Sequence, residues 1–106
     1  MATTVYNKLV RDEIPTILVN KEKEFKWHKA VDVEEYTRAL KAKLQEEVGE
    51  FLEQPSIEEI ADISEVLDAL AHVLGHDSFA VMKVKEDKAA TRGRFYNGYI
   101  LESVED

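Results

Sequence analysis

Apolar side chains recur at helical spacing through the middle of the chain. Val33, Tyr36, Leu40, Leu44, Val48, Phe51 and Leu52 form one such series. It opens on Asp32 followed three residues later by Glu35, an N-cap with its capping-box acid, and breaks at Pro55-Ser56. The pattern predicts a long helix between these points. Ser56 and Glu59 repeat the capping signature ahead of Ile60, Ile63, Val66, Leu67, Leu70, Ala71 and Leu74, predicting a second long helix closed by Gly75. Ser78 is placed to cap a third, running to about Ala90, and Arg92-Gly93 and Asn97-Gly98 mark turns. An earlier helix is expected from Arg11 to about Lys23, with Pro15 confined to its first turn. Residues 1–10 read as extended or irregular. Residues 25–31, aromatic and β-branched, read as a short strand or an irregular connection, and residues 98–102 as a short extended segment or a last helical turn, with pairing between the two left open. No repeat, linker or low-complexity tract divides the chain, so the expected fold is an all-α helical bundle in one domain over residues 1–106.

Direction around the helix separates ordinary acids from misplaced ones. With Glu59 as the origin and about 100° per residue, Val66 lies at about 340°, Leu70 at about 20°, Ile63 at about 40° and Leu67 at about 80°. Glu59 therefore sits inside the apolar stripe, and Asp62, at about 300°, lies beside its edge. Glu58, Glu65 and Asp68 project the other way and read as solvated surface. In the preceding helix, with Glu46 as the origin, the apolar arc runs from Tyr36 at about 80° to Leu44 at about 160°. Glu47, at about 100°, falls within that arc, and Glu50, at about 40°, follows along its edge. Each helix thus offers an i, i+3 acidic pair at or beside its buried face. Gly49, inside one pair, either admits a close neighbour or is an exposed glycine costing about 1 kcal/mol of helix propensity.

Four facing carboxylates repel one another in a low-dielectric setting and call for a cation. Mg²⁺ is the natural candidate, with Mn²⁺ able to substitute, because it takes hard oxygen ligands and bridges carboxylates to phosphates. The competing reading makes Glu47 and Glu59 boundary residues paired with lysine, with Glu59 serving only the cap of Ser56. The absence of cysteine removes thiolate metal sites and disulfides, which fits a reducing, cytoplasmic setting. The start of the chain shows no apolar signal-like region, and no stretch is long and apolar enough to span a membrane. A net charge of −8, from 22 acidic and 14 basic residues, argues against a duplex nucleic-acid partner. It leaves a small phosphorylated ligand open if a divalent ion intervenes. One small core with broad apolar stripes further predicts self-association as a homodimer or homotetramer.

Glu46-Glu47-Val48-Gly49-Glu50 followed by Glu59-Ile60-Ala61-Asp62 resembles the EExxE and ExxD signature of the MazG-like, all-α NTP pyrophosphohydrolase superfamily. Tyr6-Asn7-Lys8-Leu9-Val10-Arg11-Asp12 with Pro15 is similar to the N-terminal signature of the MazG-like and phosphoribosyl-ATP pyrophosphohydrolase-like group. Lys88, Arg92-Gly93 and Phe95 are similar to its C-terminal element. Two departures bear on phosphate-loop geometry and substrate choice: Arg94 replaces a second glycine, and Glu13 stands where a lysine is common. The resemblance implies Mg²⁺ held by Glu47, Glu50, Glu59 and Asp62, an oligomeric helical bundle, and hydrolysis of a nucleoside triphosphate between its α- and β-phosphates. In that scheme Glu47 combines ligation with orienting the attacking water, and Glu46 is the reserve base. Lys8, Arg11, Lys88 and Arg92 would clamp phosphates. Trp27, Phe95 or Tyr96 could stack on a base, although a core or interface role suits each better. The alternatives are a phosphoribosyl-ATP pyrophosphohydrolase and a noncatalytic helical module for nucleotide binding or oligomerisation.

Overall fold

The computed structural model describes residues 2–105, and every regular element among them is a helix. There are four: α1 (Ile14–Asn20), α2 (Val33–Glu53), α3 (Ile57–Val73) and α4 (Ser78–Arg92).

Local chemistry accounts for each boundary. α1 is shorter than the expected Arg11-to-Lys23 span. Proline has no N–H and its ring collides with the carbonyl four residues back, so the helix must start just ahead of Pro15. Its other end is a Schellman closure, in which Lys23 N–H donates to the Leu18 carbonyl and Glu22 N–H to that of Val19. Glu22 occupies the left-handed position, φ +55°, that glycine usually fills. α3 ends in the same way, with His76 N–H donating to Ala71 and Gly75 N–H to His72, and there Gly75 takes the left-handed residue at φ +85°.

Asp32 caps α2 by accepting from Glu35 N–H at 2.8 Å, and Ser56 caps α3 by accepting from Glu59 N–H at 3.1 Å. α4 departs from the expected cap by one residue. Asp77, not Ser78, accepts from Ala80 N–H at 2.8 Å, and Ser78 becomes the first helical residue. A carboxylate is the stronger acceptor for an amide at the positive end of the helix dipole.

The two segments read as candidate strands, 25–31 and 98–102, form no strand among the described residues. Neither meets a partner to complete a backbone ladder, and aromatic and β-branched content alone does not satisfy a strand's donors and acceptors. The first is instead tied down by Glu35, whose carboxylate accepts from Val31 N–H at 3.0 Å and contacts His28 Nε2 at 3.2 Å.

The three-residue break at Gln54–Ser56 folds α3 back along α2, and this hairpin is the main packing unit. Leu40 and Val66, 2% and 9% exposed, are its only buried apolar residues among those described. Among the described residues α4 meets α3 and no other helix, so the four helices do not close into a bundle. The molecule measures 63 × 31 × 25 Å, with a radius of gyration of 18.6 Å. A compact chain of this length would have a radius of about 13 Å. Large apolar side chains stay in solvent along the hairpin and α4, among them Leu52, Ile57, Ile60, Leu67, Phe79 and Met82. Among the described residues no helix is long and apolar enough to cross a membrane.

Candidate metal centre

The tight connection between α2 and α3 sets the last turns of one helix beside the first turns of the other. Glu47 and Glu50 come from α2 and Glu59 from α3, and one oxygen from each lies within 4.8 Å of the others. Glu47 is 6% exposed, and its Oε2, like Oε2 of Glu59, is sealed from solvent without a hydrogen-bond partner. The other Glu47 oxygen meets Lys43 Nζ at 3.2 Å, an i, i+4 pair on the same helix face. The lysine pairing of the competing reading is therefore present, yet it serves one oxygen and leaves the second bare.

Glu35 and Glu59 hold the same position in equivalent caps, the third residue of a helix behind a capping Asp or Ser. Their carboxylates meet opposite fates. Glu35 accepts from Val31 N–H and sits beside His28, and these contacts, the backbone bond foremost, hold its pKa below the ordinary carboxylate value. Glu59 faces carboxylates. Sharing a proton with Glu47, then burial, then the charges of Glu50 and Glu47, push its pKa up to about 7. As carboxylates the two orphaned oxygens have no donor, and a single proton or a cation between them resolves the conflict.

Asp62 does not join this group. Its Oδ1 accepts from Arg11 Nη2 at 2.6 Å, so three of the four acids expected to face one another converge and the fourth is paired. The cause is the irregular N-terminal segment, which runs over the flank of the hairpin. Lys8 on the same segment donates to Glu46 Oε1 at 2.7 Å, and Lys43 reaches the other Glu46 oxygen at 3.5 Å. The Lys8 hydrogen bond, ahead of the opposing cost of burial, keeps the Glu46 pKa below its ordinary value. The same bond raises that of Lys8, and Asp62 raises that of Arg11.

Of the four basic residues expected to clamp phosphates, Lys8 and Arg11 therefore grip carboxylates beside the site. Lys88 and Arg92 lie on α4 and form no ion pair with the acidic group among the described residues. Arg94 pairs with Glu86 at 2.8 Å. Trp27, Phe95 and Tyr96 are exposed. A Cβ added at Gly49 would meet open space, so nothing among the described residues requires a glycine there. The i, i+4 spacing of Lys43 and Glu47 was a legible signal for that pair. Arg11 and Asp62, 51 residues apart, carry no such signal.

Alongside the acids, a concavity at the α2–α3 turn is walled by Glu50, Glu53, Glu58 and Glu59, with no basic side chain in its lining. A phosphate group approaching that wall meets only negative charge unless a cation stands between. Clustered carboxylate oxygens, two of them orphaned, suit a hard divalent ion such as Mg²⁺ or Mn²⁺ better than a thiolate- or imidazole-seeking metal. Glu47, Glu50 and Glu59 are positioned to hold it, whereas Asp62 is engaged by Arg11. Compared with protein-family models, curated proteins and solved structures, the chain matches none.

Proposed function

We propose that the protein is a Mg²⁺-dependent nucleoside triphosphate pyrophosphohydrolase that releases a nucleoside monophosphate and pyrophosphate. The observation carrying this reading is the convergence of Glu50 and Glu59 on the buried Glu47, with orphaned oxygens on Glu47 and Glu59. Its resemblance to the MazG-like EExxE and ExxD pattern supports the same assignment. Glu47, Glu50 and Glu59 would hold the Mg²⁺, which would supply charge neutralisation at the phosphates and lower the pKa of the attacking water. The chain's own part is to place that water and take its proton. Glu47, the most buried of the three, orients the water and takes its proton, and Glu46, held by Lys8 and Lys43, is the reserve base only once those lysines release it. The water oxygen forms a bond to the α-phosphorus, the bond from that phosphorus to the bridging oxygen breaks, and pyrophosphate leaves. Lys88 and Arg92, on α4, are with Lys8 and Arg11 the residues that the resemblance assigns to the substrate's phosphates.

Self-association belongs to this reading. The exposed surface, 10134 Å², exceeds by about 4,000 Å² what a compact monomer of this mass presents. Obligate homodimer interfaces bury about 2,000–5,000 Å². Half of that area comes from each partner, so a second copy packed on the hairpin and α4 covers about 1,000–2,500 Å² of the excess and further copies cover the rest.

A screen of the common NTPs and dNTPs with Mg²⁺, resolving pyrophosphate from orthophosphate, tests the activity. Pyrophosphate as first product is expected, and Glu47→Gln should lower kcat by about 100-fold or more, the usual cost of removing transition-state charge stabilisation. Lys88→Ala and Arg92→Ala should raise KM at least as much as they lower kcat. Orthophosphate as first product, or normal turnover in Glu47→Gln, overturns the mechanism. No turnover with any nucleotide favours a noncatalytic binding module, a reading supported by the lysine and arginine already compensating Glu47 and Asp62.

A further inference from the structure

We propose that Arg11 is an exchangeable counter-cation, withholding Asp62 from the metal until a phosphate draws the guanidinium away. The exchange rests on the metal reading and adds a coupling between metal and substrate. Lys8 and Arg11, three residues apart, fasten one irregular segment to two helices, Lys8 to Glu46 on α2 and Arg11 to Asp62 on α3. The fastening is light. Of residues 2–13, Leu9 alone is half-buried, and the Arg11 and Asp62 side chains are 59% and 37% exposed. An ion pair this open contributes little and forms reversibly.

The contact is also incomplete for an arginine. One guanidinium nitrogen reaches one Asp62 oxygen, whereas the planar fork of donors favours bidentate contact with a carboxylate or phosphate. A phosphate offering two oxygens is the better partner. Its capture of Arg11 frees Asp62, three residues beyond Glu59 on the same side of α3, to add a fourth carboxylate to the group. Metal and phosphate ligand then favour one another, and the coupling is reciprocal.

The test is Mn²⁺ binding followed by electron paramagnetic resonance, then binding of an α,β-methylene nucleoside triphosphate at saturating Mn²⁺. Arg11→Ala should bind Mn²⁺ alone about two- to fivefold more tightly than wild type, the range set by competition from an exposed ion pair. It should bind the triphosphate analogue more weakly. Arg11→Lys should restore affinities towards wild type, and Lys83→Ala, which removes the same charge from the exposed pair with Asp87, should leave both unchanged. Opposite shifts for the two ligands are not expected from a merely structural role. Unchanged or weaker Mn²⁺ binding in Arg11→Ala, or unchanged analogue binding, overturns the exchange. The metal reading survives that result if wild type binds Mn²⁺ and Glu59→Gln does not. Absence of Mn²⁺ binding by wild type overturns both.

Discussion

Glu59 shows how one side chain converts from helix cap to site residue. Its amide is bonded by Ser56, as the capping pattern requires, but its carboxyl points at Glu47 and Glu50. Glu35, in the equivalent place, directs its carboxylate to local donors. A pH signature follows. Unfolded Glu59 releases its proton near 4.5, whereas in the folded protein it keeps it up to about 7. The folded state binds more protons in that window, so Glu59 makes metal-free stability fall as pH rises from 4.5 to 7. Glu35 and Glu46, with depressed pKa values, act oppositely, their stabilisation being lost as pH falls below the ordinary carboxylate range. Thermal unfolding in EDTA between about pH 5 and 8 should show the decline in wild type, and Glu59→Gln should flatten it. Saturating Mg²⁺, which competes with the proton, should stabilise wild type more than the variant. An identical slope in Glu59→Gln would remove Glu59 as its source.

At the scale of elements, the ends of the helices carry the local code. The capping residues Asp32 and Ser56, Pro15 and Gly75 all act where the pattern of the chain places them. The exception is α4, where Asp77 and Ser78 are adjacent and both suited to capping. Sequence pattern does not choose between neighbouring caps, because the choice depends on which residue leaves the helical conformation. Asp77 does, at φ −95° and ψ 177°. Asp77→Ala should therefore destabilise α4 by about 0.5–2 kcal/mol, and Ser78→Ala by less than about 0.5 kcal/mol. Amide exchange at Ala80 reads this directly, since its N–H loses its acceptor only in the first variant. Equal acceleration in both variants would show that the cap is shared.

The whole molecule is long and thinly packed. A hairpin whose buried apolar residues among those described are Leu40 and Val66, carrying a helix that meets no other helix than α3, leaves much of its apolar surface in water. Phe79, 81% exposed, and Met82 on α4 and Leu52 and Ile57 at the hairpin turn are costly to leave uncovered, at about 25 cal/mol for each Å² of apolar surface. Sedimentation at micromolar concentration should give a dimer or tetramer, and the unfolding temperature should drop on dilution, as expected when folding and assembly are linked. A monodisperse monomer with a concentration-independent transition would mean that the exposed faces need no second copy.

The order of residues was enough to specify the long helices and the inward direction of Glu47 and Glu59. Those features depend on neighbours within a few residues, through capping bonds, proline geometry and the 3.6-residue period. The i, i+4 pair of Lys43 and Glu47 belongs with them. The packing of distant segments settled that Glu50 joins the site while Asp62 is claimed by Arg11, and that Lys8 lies on Glu46. It also settled that residues 25–31 and 98–102 pair with no strand and that α4 leaves the hairpin. These outcomes turn on which distant groups meet first. A guanidinium and a carboxylate 51 residues apart compete with every other charge on the surface, and no local period records which pair wins.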